Sequence, residues 1–441
     1  MNCTRRNFLK ISLTGLTFAN LMTYGNVLSD NKLNINTGSN TMPSANSDVF
    51  LCRGEPPDKN IRKLMKMLGG VESVFGKDDI VVIKPNSQWW LQGMTNTDSI
   101  VALIEMILAL PGFSGEIIIA DNHQFQEDNS RGWTTTTPNG RFNLNEVVKY
   151  FNTIGHGNVT KYHWHDAGQN PDPLQGNAFG NAVVEGPQDG DGYVWDFDNF
   201  YLTEDDHKCI MTYPIFTSSH SGITIDLKNG AWQNGSYTGQ PVKFINMSSL
   251  NHHSPYCGIT ASVKNLMGVV DMSCGFPAPE PEDTYNTHYI GLKSGFWERV
   301  RRLSYVHWRV RGLVAKFVSE DDLIDFHYTG GALGRWIRTI RKPDLNIITA
   351  EWVGYGSRID KEQSSRPRAL VASTDAVAAD YIAAKHILLP ETIKNMPGSE
   401  KCLLNDPDNE DGPFHKFLVY ASKETGGILD ESFISLYENT P

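Results

Sequence analysis

Four apolar runs in this chain each stop at residues able to carry charge or donate hydrogen bonds. Ile80–Ile83 is followed by Lys84-Pro85-Asn86, and Ile117–Ala120 by Asp121-Asn122-His123. Ile347–Thr349 leads to Glu351, and Ala369–Ala372 leads to Ser373, Thr374 and Asp375. In open α/β sheets, ligands bind beyond the carboxyl ends of the strands. If these runs are strands, their ends bring Lys, Asn, Asp, His and Glu around one crevice. Carboxylates and imidazoles there suit general acid/base work or metal ligation, and lysines suit an anionic substrate. The competing reading is that loop ends are polar in any protein.

Two apolar segments add to the set. Asp375–Leu389 is apolar almost all round, with Asp375 placed to cap its start. Asp380 lies within it, and a buried carboxylate there needs a cationic partner or a metal ion. In TASVKNLMGVVDM, Lys264 and Asn265 interrupt another apolar helix. That lysine must snorkel, pair with an acid or hold an anion. Histidine clusters twice. His163 and His165, two apart on an expected strand with Asp166 adjacent, form a candidate metal pair. His252 and His253 stand just before Cys257, a pattern read as nucleophilic catalysis, as metal binding, or as a small buried thiol. There is no phosphate loop of the G-x-x-x-x-G-K type, no G-x-S-x-G elbow and no H-E-x-x-H.

The elements that must position these residues are readable from pattern. Asp48–Arg53 reads as a strand and Asp58–Leu68 as a helix ended by Gly69-Gly70. Ile80–Ile83 and EIIIADN read as strands covered on both faces, because their apolar runs are continuous. Between them Thr97-Asp98 opens a helix through Leu110. Leu144–Ile154 reads as helix and Val159–Trp164 as extended. From about 176 to 250 Gly, Asn, Asp and Tyr dominate, which predicts hairpins and long loops inserted into the core. Helices are expected at Ala261–Val270, Phe296–Phe317 and Asp375–Leu389, and strands at LNIITAEWV and ALVASTD. The alternation predicts an α/β fold, a mostly parallel sheet with helices on both faces, with hairpin- and loop-rich insertions at about 176–250 and 276–340. The α/β domain is expected over 48–390 and a C-terminal extension over 391–441.

The first residues are of another kind. In MNCTRRNFLKISLTGLTFANLM, Arg5 and Arg6 precede Phe8, Leu9 and Lys10, and the apolar stretch after them is too short to span a bilayer. The order resembles a bacterial twin-arginine export signal rather than an ordinary secretory one. Residues 1–29 are read as that signal and 30–47, rich in Asn and Ser, as a flexible linker. The implied partner is the twin-arginine translocase, and the location periplasmic or secreted. Such export carries folded proteins, often with a cofactor already loaded.

With 441 residues, 40% hydrophobic and 20% charged, the chain is a soluble globular type with one large or two smaller domains. Removing Arg5, Arg6 and Lys10 takes 39 bases to 36 against 50 acids, a net charge of −14. That acidity argues against nucleic acid as a partner. No later stretch reaches about 18 apolar residues, so no membrane span is expected in the mature chain. Of six cysteines, Cys3 lies in the signal; the other five are odd in number and show no C-x-x-C. No iron–sulfur motif is therefore present, while a divalent metal ion stays a candidate cofactor. The basic run ERVRRLSYVHWRVRGLVAKF, with Arg299, Arg301, Arg302, Arg309 and Arg311, reads as a solvated helical face or subunit contact.

VVIKPN, TNTDSIVALIEMIL, EIIIAD, HHSPYCGITASVKNLMGVVD and ALVASTDAVAADYIAA, in that order, resemble the domain-of-unknown-function family numbered 362. The resemblance covers about 48–390, and members are often exported by the twin-arginine route. The positions matching its motifs are Lys84, Asn86, Asp121, His253, Lys264, Asn265, Gly268, Asp375 and Asp380. Some relatives carry a two-cluster ferredoxin-like module, for which this chain has no cysteine ladder.

Two functions are expected from these residues. The first is an exported enzyme acting on a small anionic ligand. Lys84, Asp121, His253 and Lys264 are its candidate catalytic groups, Asn86, Asn265 and Asp375 its ligand-binding groups, and Asp121, His253 and Asp380 its metal ligands. The alternative is a non-catalytic binding or assembly factor for an exported redox partner.

Overall fold

The computed structural model describes residues 46–122, 131–164, 183–204, 206–254, 257–272, 283–287, 290 and 327–439. The segment read as an export signal, nearly all of that read as a linker, His123, His165, Asp166, Cys274 and the arginine-rich segment lie outside the described residues. Among the described residues no helix is long and apolar enough to cross a membrane.

The first half alternates as its pattern predicts. Strand β1 (Ser47–Arg53) leads into a helix, Pro57–Met67, that begins on proline and carries Asp58 in its first turn. Strand β2 (Ile80–Lys84) is buried at every residue. The next helix, Thr97–Leu108, is capped one residue earlier than expected, with the Asn96 side chain accepting from Ser99 N. Strand β3 (Glu116–Asp121) is also wholly buried. Helix Leu144–Thr153 opens with a capping box between Asn143 and Glu146 and leads to β4 (Val159–His163).

β2 shows why the apolar runs are continuous. Ile80 and Val82 join one core cluster, while Val81 and Ile83 join the other. Both faces of the strand are covered, so no position is left for water.

The stretch after β4 builds a second sheet from β5 (Gly192–Leu202), β6 (Lys208–Thr217), β7 (Thr224–Asp226), β8 (Gly230–Gln233) and β9 (Ser236–Tyr237). These pair antiparallel in hairpins, as the composition suggests. The β8–β9 link is an Asn-Gly turn with both residues at positive φ, 53° and 85°, the conformation a two-residue hairpin demands. The short β12 (Asp283–Thr284) adds to β6 in parallel.

The expected insertion at 176–250 ends sooner than its composition implies. β10 (Val242–Ser254) belongs to the main sheet and lies between β2 and β13 (Leu345–Gly354), parallel to both. The main sheet runs β15-β1-β14-β13-β10-β2-β3-β4, with β11 (Gly258–Thr260) folded back on β10. The pairs from β13 through β4 are all parallel, so five strands point their carboxyl ends the same way. β14 (Ala369–Ser373) is antiparallel to both its neighbours. The residues read as a C-terminal extension supply β15 (Ile434–Asn439), parallel to β1 at the sheet edge. The fold is mixed α/β with a mostly parallel main sheet.

Candidate functional site

Lys84, Asn246, Asn346 and Ser373 occupy paired positions on the adjacent strands β2, β10, β13 and β14. Paired residues project to one face, so a polar row crosses a sheet that is otherwise apolar there. A short helix, Ser262–Asn265, lies over it. Asn265 Nδ2 donates to Asn246 Oδ1 (2.8 Å), Asn246 Nδ2 to Asn346 Oδ1 (2.9 Å), and Ser262 Oγ to the same Asn346 oxygen (2.9 Å).

At one end of the row, Lys84 Nζ stands 2.8 Å from Asp121 Oδ1, and each side chain is 1% exposed. The ammonium also donates to Pro85 O and Asn265 Oδ1. Asp121 Oδ2 accepts from Ser87 N and Ser87 Oγ, and Oδ1 from Asn122 N. Burial pushes Asp121 up and Lys84 down, and their pairing opposes both shifts. At the other end, Asp380 Oδ1 and Oδ2 accept from Ser262 N (2.6 Å) and Val263 N (2.9 Å), ending the short helix's orphan donors. Burial raises that carboxyl to about 8, against the pull of the two backbone donors.

This network is closed on itself. Asp121, Lys84 and Asn265 are linked by direct contacts, and Asp380 joins them through the short helix. Their polar atoms, however, are spent on each other. Asp121, His253 and Asp380 are not gathered as metal ligands, and among the described residues no group of three or more His, Cys, Asp or Glu side chains is placed to hold a metal. Two further expectations fail on strand geometry. β14 runs antiparallel, so its carboxyl end, and Asp375 two residues beyond, lie by the amino end of β13 instead of its carboxyl end. There it caps the helix Ala376–Ala383 and accepts from Ser47 Oγ and Ile428 N. Glu351 sits inside β13 rather than at its end, paired with Arg366.

A different set of groups collects beyond the carboxyl ends. β10 continues to Ser254 after Asn246 has paired with the last residue of β2. His253 therefore stands well outside the polar row. The loop after β2 is held against this extension by Asn86 Nδ2 donating to Ser249 Oγ and by Asn251 Nδ2 donating to Gln92 O. Gln92 Nε2 donates in turn to Ser357 O and Asp360 O, tying that loop to the one after β13. Gly93 permits the contact, since a Cβ there would collide with Arg358 O and Trp89 Cβ. Leu91, in the same loop, is held at φ 49°, a strained value for a branched side chain.

These loops deliver Trp89 and Arg358. The Arg358 guanidinium lies 4.5 Å from the Trp89 ring centroid and that of Arg131, from the segment after β3, 4.0 Å. Arg358 Nη1 is 2.6 Å from His253 Nδ1 and 2.9 Å from Nε2. A guanidinium has only donors, so a ring nitrogen that pairs with it accepts, and Nδ1 also stands 2.8 Å from Thr260 Oγ1. Below them Lys264, 8% exposed, lies beside Cys257 and contacts Met267 Sδ at 3.4 Å. Burial lowers Lys264, and the neighbouring Arg358 charge lowers it further. Burial pushes the Cys257 thiol up despite the two cations, and Cys52 and Cys402 are free thiols too. Among the described residues, no carboxylate pairs with Lys264 or Arg358.

The sequence singled out Lys264, His253 and Cys257 but missed Arg358, Trp89 and Arg131. The signal for Arg358 and Trp89 was present: both follow buried strands by a few residues, in loops rich in glycine or polar groups.

Residues 240–385 match the model of a family described as Domain of unknown function (DUF362). The match takes in β10, β13, β14 and the helices that carry Lys264, Asn265 and Asp380, along with His253, Cys257 and Arg358. It leaves out Lys84, Asn86, Trp89, Asp121 and Arg131. Comparison with curated proteins and with solved structures gives no match.

Proposed function

We propose that this is an exported enzyme acting on a small anionic ligand, bound where the parallel strands β2, β3, β10 and β13 end. Lys264 and Arg358 hold the negative charge, His253 is the acid/base group, and Trp89 orients the guanidinium. The Lys84–Asp121 pair, Asn265 and Asp380 support the helix that carries Lys264; they do not touch the ligand. One observation carries this reading. Lys264 is almost wholly buried beside a second cation, with no carboxylate among the described residues to offset either. Charges left so in a protein interior are costly, and an anion relieves the cost.

The test is thermal unfolding of the mature chain against a panel of small inorganic and organic anions at constant ionic strength. At least one anion raises the wild-type midpoint, and Lys264→Met loses the shift. An unmoved midpoint across the panel would refute the proposal. Export is checked separately: with Arg5→Lys and Arg6→Lys together, the protein stays in the cytoplasmic fraction. Unchanged periplasmic recovery would remove the twin-arginine reading.

A further inference from the structure

The same cluster carries information about the ligand's charge. Lys264 and Arg358 are close enough to repel each other, and each is depressed in basicity by burial. Among the described residues, the group beside Lys264 able to become negative is the Cys257 thiol, which shares a hydrogen bond with it and whose ionisation burial opposes. His253, which contacts both Arg358 and Thr260 Oγ1, is an imidazole and brings no negative charge. Lys264 and Arg358 thus bring two positive charges to this point, and no carboxylate among the described residues pairs with either, while Arg131 is held on the Trp89 ring and donates to Gln88 O. A singly charged ligand would leave one cation uncompensated.

We infer that the bound group is a doubly negative oxyanion, a tetrahedral one or a pair of carboxylates, held between the Lys264 ammonium and the Arg358 guanidinium. The planar fork of Arg358, steadied on Trp89 at 4.5 Å, engages two oxygens at once, and Lys264 meets the charge from below. This rests on the anion-binding reading above.

The experiment is titration calorimetry of the mature chain near neutral pH, at fixed ionic strength, with two matched pairs of probes. Sulfate is compared with methanesulfonate, which keeps the tetrahedral head and drops one charge. Malonate is compared with acetate for the carboxylate case. The expected result is that at least one dianion binds roughly tenfold or more tightly than its singly charged partner. The pair showing the gap identifies the head group. Lys264→Met and Arg358→Gln each erase the gap, whereas Arg358→Lys, which keeps the charge and loses the fork, retains a preference for the dianion. Urea unfolding of every variant confirms that it is folded. Monoanions binding within about twofold of dianions overturn this inference and leave the anion site standing. No binding of any probe overturns both.

Discussion

Lys84 and Lys264 look alike in the sequence, each a lysine among apolar neighbours, and the fold treats them in opposite ways. Lys84 is neutralised by Asp121 and bound on every side, so its charge is structural. Removing its partner strands a buried ammonium. Asp121→Ala is expected to lower stability by about 3–5 kcal/mol, measured by urea unfolding. A loss below about 1 kcal/mol would mean that the pair carries little of the fold. Lys264 behaves differently because no carboxylate among the described residues offsets it. Its folded-state value lies below the ordinary 10.5, so folding expels its proton within that window. The penalty is full at pH below the folded value and vanishes as pH rises past 10.5. Lys264→Met should therefore stabilise the ligand-free protein, most at neutral pH and least in alkali. A variant less stable than wild type at both pH values would contradict this account.

The decisive element is the four-residue helix Ser262–Asn265. A helix this short has no stability of its own. It is held by Asp380 on its amide donors and by Asn265 in the polar row, and this leaves Lys264 aimed away from the network toward Cys257 and Arg358. The turn that follows ends at Gly268, where any Cβ would collide with Asp121 Oδ1 and Lys84 Nζ. Gly268→Ala is expected to cost about 1–3 kcal/mol in urea and to weaken anion binding, because the displaced turn carries Lys264 with it. Wild-type stability in this variant would show that the ion pair yields more easily than its geometry implies.

For the molecule as a whole, the cationic cluster is set in a chain of net charge −11. Selectivity for an anion is then local, since the protein's long-range field repels what the site attracts, and added salt should weaken the site less than it weakens a surface patch. Several features of this arrangement follow from the order of amino acids alone. Strands covered on both faces have to be continuously apolar, and so β2, β3, β13 and β14 are legible, as are the Asp375 cap and the hairpin character of the stretch after β4. β10 is not legible, although it is central. Asn246, Ser249 and Asn251 are all fully buried, and they read as loop because polar side chains in a strand core are tolerated only through partners elsewhere in the fold. Those partners, Asn346, Gly93 and Gln92, are distant in sequence. Strand direction is equally invisible, and the reversal of β14 puts Asp375 by the amino end of β13 instead of its carboxyl end. The chain's local pattern thus settled which segments are buried and which residues are ionisable at their ends. Whether a given charge is cancelled or left waiting depends on what stands within about 4 Å of it, and only the packed structure sets that distance.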